Sequence, residues 1–194
     1  MNKLLLLLLT LFVASCNRTI EDSEITSTEN LDLNWVVDGF DFPVGKPDAE
    51  GYYDAQHFGA NHHLGEDWNG KRGGNTDFGD PVYAIAKGKV SFAQDIKGGW
   101  GNVIRIVHTF PSGRQVESLY AHCDEIFVKE GDTIEKGIKI GTIGTANGQY
   151  PAHLHFEIRD VIGMPIGRGY SLNKNGYLNP SKFIYRNRNL IWEK

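Results

Sequence analysis

The chain has 194 residues, 40% of them hydrophobic and 11% aromatic, enough to bury the core of one domain with extensions. Its formal net charge of -4 excludes the basic stripe that nucleic-acid binding requires, so no nucleic-acid partner is expected. Glycine is abundant at 23 residues, which favours turns and short strands over long helices.

Residues 1–15 read as a signal peptide, in which Lys3 precedes an apolar run far shorter than the about 20 residues of a membrane-spanning helix. Ala14 and Ser15 lead into Cys16. The stretch "VASC" resembles the lipobox of bacterial lipoproteins, which implies cleavage before Cys16 and lipid on that residue. The expected location is the cell envelope, as a lipoprotein anchored in a membrane through Cys16 and facing the periplasm or the exterior. With Cys16 acylated, Cys123 is left alone; no internal disulfide is expected, and Cys123 is assigned to apolar packing.

Residues 16–30 hold the lipidated cysteine and a polar, aperiodic stretch, "NRTIEDSEITSTEN", that reads as a tether. Residues 31–54 mix aromatics with turn residues and are expected to pack on a domain spanning 55–185. In that domain the pattern is strand, turn, strand. "NVIRIVHTF" and "QVESLYAH" alternate about a turn containing Gly113, a hairpin signal. "VKEGDTIEKGIKIGTIG" sets glycines between short Ile/Val pairs, as tight turns between very short strands do. No stretch sustains a helical period, and only "NPSKFI" suggests a single helical turn. The fold class is therefore mainly β, with an antiparallel sheet core and Gly-rich turns.

The seven histidines are unevenly placed. In "YPAHLHFEIRD", His153 and His155 share one face of a strand, with Leu154 and Phe156 on the other and Glu157 following on the histidine face. In "NHHLGEDWNG", His63, Gly65 and Asp67 are spaced by two, so an extended segment points His63 and Asp67 the same way and His62 away. His122 ends the "QVESLYAH" strand. Taken alone, each piece fits a structural role as well as a chemical one. Together, three separated segments supply imidazoles and a carboxylate, the ligand types of an open catalytic zinc site with water in the fourth place. Calcium would prefer more oxygens. His57 is given no role, His62 reads as a surface residue and His108 as a structural one. Trp100 and Tyr120 are assigned to packing, with a groove-lining role as the alternative.

The order and spacing of "HLGED" at 63–67, "GDPVYA" at 79–84, "GWGNVIRIVH" at 99–108, "YAH" at 120–122 and "PAHLHFEIR" at 151–159 resemble the lysostaphin-type zinc metallopeptidases, also called the LytM domain of peptidoglycan endopeptidases. The resemblance covers roughly residues 60–160. It implies a LytM-type β fold and one Zn2+ per chain, held by His63, Asp67 and His155. His122 and His153 take the places of the two catalytic histidines that do not bind metal. It implies as substrate the peptides of peptidoglycan, and as activity the hydrolysis of stem-peptide or cross-link bonds during cell-wall remodelling. A regulatory protein partner of unstated identity is allowed for. The sequence departs from the family pattern in a longer loop, "WNGKRGGNTDFG" at 68–79, basic at Lys71 and Arg72 and expected to be solvated. None of the five key positions is missing. That bears on the alternative, a non-hydrolytic module that binds cell wall or activates another hydrolase, because some relatives lose ligands and act only as activators. The Gly-rich turns also resemble a biotinyl or lipoyl carrier domain, but that needs a lysine between methionines, and Met1 and Met164 provide no such hairpin.

Overall fold

A computed structural model describes residues 35–190. The expected signal peptide, Cys16 and the tether lie outside the described residues. The elements in chain order are β1 (Tyr52–Gln56), β2 (Glu66–Gly70), β3 (Pro81–Tyr83), β4 (Gly88–Asp95), β5 (Asn102–Thr109), β6 (Gln115–Cys123), β7 (Thr133–Ile134), β8 (Lys139–Thr142), β9 (Leu154–Arg159), β10 (Tyr177–Leu178) and α1 (Pro180–Arg186). The large sheet runs β1-β2-β9-β6-β5-β4-β7, and β10 extends the β2 side of β9; β3 and β8 pair separately. Every pairing between these strands is antiparallel, as the alternating sequence predicts.

Strand β9 is central. One edge pairs with β6 from Ala121 to Glu117, and the other with β2 and then with β10. Its alternation divides the molecule. Leu154, Phe156 and Ile158, none of them exposed, join Tyr120, Ile104 and Ile106 in the main core. That core is closed by Phe40, Phe42 and Val44 of the N-terminal segment, by Ile85, Ile140 and Ile143 around the small sheet, and by Phe183 and Ile184 of α1. Burying a large aliphatic or aromatic side chain in this way contributes about 1.5–3 kcal/mol each. The intervening residues, His155, Glu157 and Arg159, face the other side of the sheet.

Two elements exceed what the sequence suggests. Strand β2 continues through Trp68 to Gly70, into the stretch expected to be loop, because Trp68 pairs with Asp54 and Gly70 with Tyr52 of β1. The helical turn at "NPSKFI" becomes the seven-residue α1. Its N-terminus is capped by Asn179, whose Oδ1 accepts from Lys182 N at 2.8 Å, and Pro180 occupies a first-turn position where no donor is lost. Phe183 and Ile184 then bury one face of α1 and sustain the second turn.

Candidate metal centre

Strands β2 and β9 lie side by side with Asp67 directly opposite His155. His63 enters just before β2. Gly65 lets the two segments approach: a Cβ there would stand 2.5 Å from Phe156 O, 2.9 Å from Glu157 Cγ and 3.0 Å from His155 Cε1. The three side chains meet. His155 Nδ1 is 2.9 Å from Asp67 Oδ1, His63 Nε2 is 3.0 Å from His155 Nδ1, and His63 Nε2 is 3.3 Å from Asp67 Oδ1. His63 is fully buried and His155 nearly so.

The partners behind the imidazoles decide which nitrogens face inward. His63 Nδ1 lies 3.1 Å from Gln56 O, which can only accept, so the proton sits there and Nε2 carries a lone pair. His155 Nε2 lies 3.0 Å from Glu157 Oε1, so in the neutral ring Nδ1 carries the lone pair. Glu157 is fixed in turn by Arg159, whose Nε donates to Oε2 at 2.7 Å and whose Nη2 stands 2.6 Å from the same oxygen in an ion pair. Two lone pairs and a carboxylate oxygen thus point at one another. Their spacings approach the about 3.3 Å edge of a tetrahedron with zinc-to-nitrogen bonds near 2 Å. The set fits a divalent cation, and two nitrogen donors favour zinc over calcium or magnesium. Burial alone would keep His155 neutral. Its hydrogen bonds to Asp67 and Glu157 outweigh that and push it up to about 9, so the trio as it stands calls for positive charge. Asp67 is partly desolvated, yet the two histidines hold it well below the usual carboxylate range.

Two more histidines complete the group. His153 Nε2 is 3.9 Å from Asp67 Oδ1, and its Nδ1 donates to Pro151 O at 2.8 Å. His122 stacks edge-on to His153 with ring centroids 4.8 Å apart, and lies 5.5 Å from His155. Strict alternation would send His122 to the core face with Tyr120. Instead Tyr120 pairs with Ile104 and Cys123 with Asn102, so Ala121 and His122 together oppose Val103. This bulge, with His122 at φ 64°, turns the imidazole onto the face of His155. Burial, with His155 and His153 close by, lowers the His122 pKa to about 3, so it is neutral at physiological pH. Its Nδ1 is 3.3 Å from Trp100 O, which again leaves Nε2 with the lone pair.

Asp67, His122, His153 and His155 line an open cleft of about 530 Å³, with His63 buried beside them. Trp100, Tyr150 and Tyr170 form its walls. None of residues 35–54 lines it. Trp100 is therefore a groove residue, its ring 5.3 Å from that of His155. Tyr120 is a core residue: it is fully buried, and its hydroxyl accepts from Ile85 N at 3.1 Å. Cys123 is buried, free and pushed up to about 12 by desolvation, which removes it as a nucleophile. His108 is buried between Lys87 O and Ser118 Oγ, away from the cleft. Exposed His57 pairs with Asp54, and His62 is exposed. Arg72 is occupied by Asp80 and Thr76 O rather than by the cleft. The sequence pattern placed Glu157 on the histidine face but gave no reason for the buried Arg159 behind it.

The model of peptidase family M23 matches residues 61–173, more than half the chain and all five residues of the cluster. The chain belongs to peptidase family M23. Among its relatives is a lipoprotein named NlpD from Yersinia enterocolitica, 37% identical over 100 residues, which are 52% of this chain and 91% of that one. A murein hydrolase activator NlpD from Salmonella dublin is 34% identical over 119 residues, covering 58% of this chain but 28% of the relative. This M23 chain thus matches less than a third of that longer protein. The solution structure of lysostaphin shares the fold, with a TM-score of 0.53 at 24% identity over 70% of this chain and 51% of that one.

Proposed function

We propose that this chain is a zinc-dependent endopeptidase that hydrolyses peptide bonds in peptidoglycan stem peptides or cross-links. The observation that carries the reading is the convergence of His63, Asp67 and His155 on one point, with His122 and His153 beside it in an open cleft. His63 Nε2, Asp67 Oδ1 and His155 Nδ1 would hold the metal. When bound, Zn2+ supplies a Lewis acid that lowers the pKa of water and polarises a scissile carbonyl. The remaining work belongs to the protein. Gln56 O and Glu157 fix the tautomers of the two imidazole ligands. His122 presents a lone pair at Nε2, although burial makes it a weak base, and His153 presents its own Nε2 beside it. One of the pair takes the proton of the attacking water at Nε2, and the other, once protonated at Nε2, donates to the oxygen on which charge develops. Trp100, Tyr150 and Tyr170 hold the peptide against them.

The envelope setting belongs to the same proposal. A signal peptide at 1–15, a lipid on Cys16, a tether to residue 30 and a catalytic domain over 55–185 would place the cleft at the membrane surface, within reach of cell wall. The NlpD relatives, one named as a lipoprotein, support that placement.

A second reading has an observation of its own, since a 34% identical relative is named a murein hydrolase activator. On that reading the domain binds cell wall or stimulates another hydrolase without cutting. Digestion of purified sacculi by the purified chain separates the two. The endopeptidase reading expects chelator-sensitive release of fragments whose masses report a cut peptide bond. Intact sacculi after incubation with the zinc-loaded chain would leave the activator reading in its place.

A further inference from the structure

The segment after β9 crosses the sheet and returns as one wall of the cleft. Its backbone is pinned at nearly every step. Arg159 donates to Pro165 O at 3.2 Å and to Ile166 O at 2.9 Å, Trp100 Nε1 donates to Gly167 O at 3.1 Å, and Leu64 N donates to Gly169 O at 2.9 Å. Ser171 N then donates to His62 O at 2.8 Å. Gly167 and Gly169 adopt φ values of 79° and 74°, which a side chain would strain. Gly169 also packs against the catalytic group: a Cβ there would lie 3.6 Å from Trp100 and 3.9 Å from His155 Cε1. Between these two fixed glycines stands Arg168. It lines the cleft, is exposed, and makes no ion pair or side-chain hydrogen bond among the described residues. No other lysine or arginine lines the cleft.

From this we infer that Arg168 is a specificity residue that selects peptides carrying a free carboxylate near the scissile bond. The inference rests on the peptide-binding role proposed above for the cleft. An arginine held on a rigid backbone loses less freedom on pairing than one on a mobile loop, and its fork matches a carboxylate in two parallel hydrogen bonds. Trp100, Tyr150 and Tyr170 line the same cleft and offer apolar surface beside such a pair. An uncharged oligoglycine segment offers this guanidinium nothing. The ligand class is therefore an acidic peptide, whose carboxylate comes from a side chain or from the C-terminus.

Calorimetric titration of the full zinc-loaded chain tests this with three probes: the tetrapeptide L-Ala-γ-D-Glu-L-Lys-D-Ala, its C-terminal amide, and the version amidated at the free glutamyl carboxylate. One amidation is expected to weaken binding about tenfold, as loss of a charge-assisted hydrogen bond does, and which one does so identifies the source of the carboxylate. Arg168→Gln should erase the difference, and Arg168→Lys should keep part of it. A carboxylate taken up by the metal alone would keep its advantage in Arg168→Gln, and that result overturns the inference. So does equal affinity for all three probes, or no binding of any at millimolar concentration. Hydrolysis is followed in parallel. A carboxylate preference without turnover removes the endopeptidase reading and leaves this one, whereas turnover without preference does the reverse.

Discussion

Glu157 Oε1 sits 3.0 Å from His155 Nε2, and neither group is open to solvent. The carboxylate thereby fixes which imidazole nitrogen faces Asp67, and in the proposed metal site it would raise the basicity of that nitrogen. Glu157→Gln keeps the shape and an acceptor oxygen but removes the charge. Metal affinity is expected to fall about 10–100-fold, read by competition with a chromophoric chelator. Because Arg159 loses its buried countercharge, the melting temperature falls too. A folded variant with unchanged affinity would show that Glu157 does not orient the ligand.

His122→Asn separates catalysis from metal binding. Asparagine tolerates the left-handed conformation that His122 adopts at φ 64°, so the bulge survives. The variant is expected to bind one zinc per chain and lose about 10²–10⁴-fold in turnover on sacculi. Wild-type turnover would remove His122 from the mechanism.

The same residue marks where sequence reading reached its limit. Alternation placed His155 and Glu157 on one face of β9, with His153 just before it on the same side, and spacing by two aligned His63 with Asp67; both are local patterns with a fixed period. The position of His122 comes from a bulge that breaks the period, and nothing in "SLYAHCD" announces it. Trp100 and Tyr120 look alike in sequence, yet one walls the cleft and the other is fully buried, because that difference depends on which distant strand lies beneath each ring. Arg159 was legible only as the end of a motif. Its buried role depends on Glu157 and on the carbonyls of residues 165 and 166, which the chain brings back from beyond the strand. In the same way, the length of α1 was set by a buried face that no local signal described.

Gly65→Ala tests the close approach of β2 and β9. The added Cβ meets the backbone oxygen of Phe156 at 2.5 Å, which no rotamer change relieves. Overpacking of this kind costs about 1–3 kcal/mol. The expected result is a lower melting temperature together with weaker zinc binding, because separating the strands parts Asp67 from His155. Unchanged values for both would show that the strands have slack.

His108 gives the fold a pH signature independent of the metal. Burial lowers its pKa to about 4, against 6.5 in the unfolded chain. Between those values the unfolded state binds more protons, so this contribution to stability is present above pH 6.5 and is lost as pH falls toward 4. Its size is about 3 kcal/mol at about 1.4 kcal/mol per unit. Glu66 acts in the opposite sense, since burial raises it to about 7, so the comparison is made between variants. His108→Gln is expected to be less stable at pH 7 and to lose less on acidification from 6.5 to 4, measured by denaturant unfolding. Parallel curves for the two proteins would contradict the assignment.

The central claim is that His63, Asp67 and His155 form one metal site. Elemental analysis of the purified chain and of Asp67→Ala, each dialysed against trace zinc, tests it most directly. One zinc per chain is expected in the first and a small fraction of one in the second. Stoichiometric zinc retained by Asp67→Ala, or none bound by the unaltered chain, would contradict it.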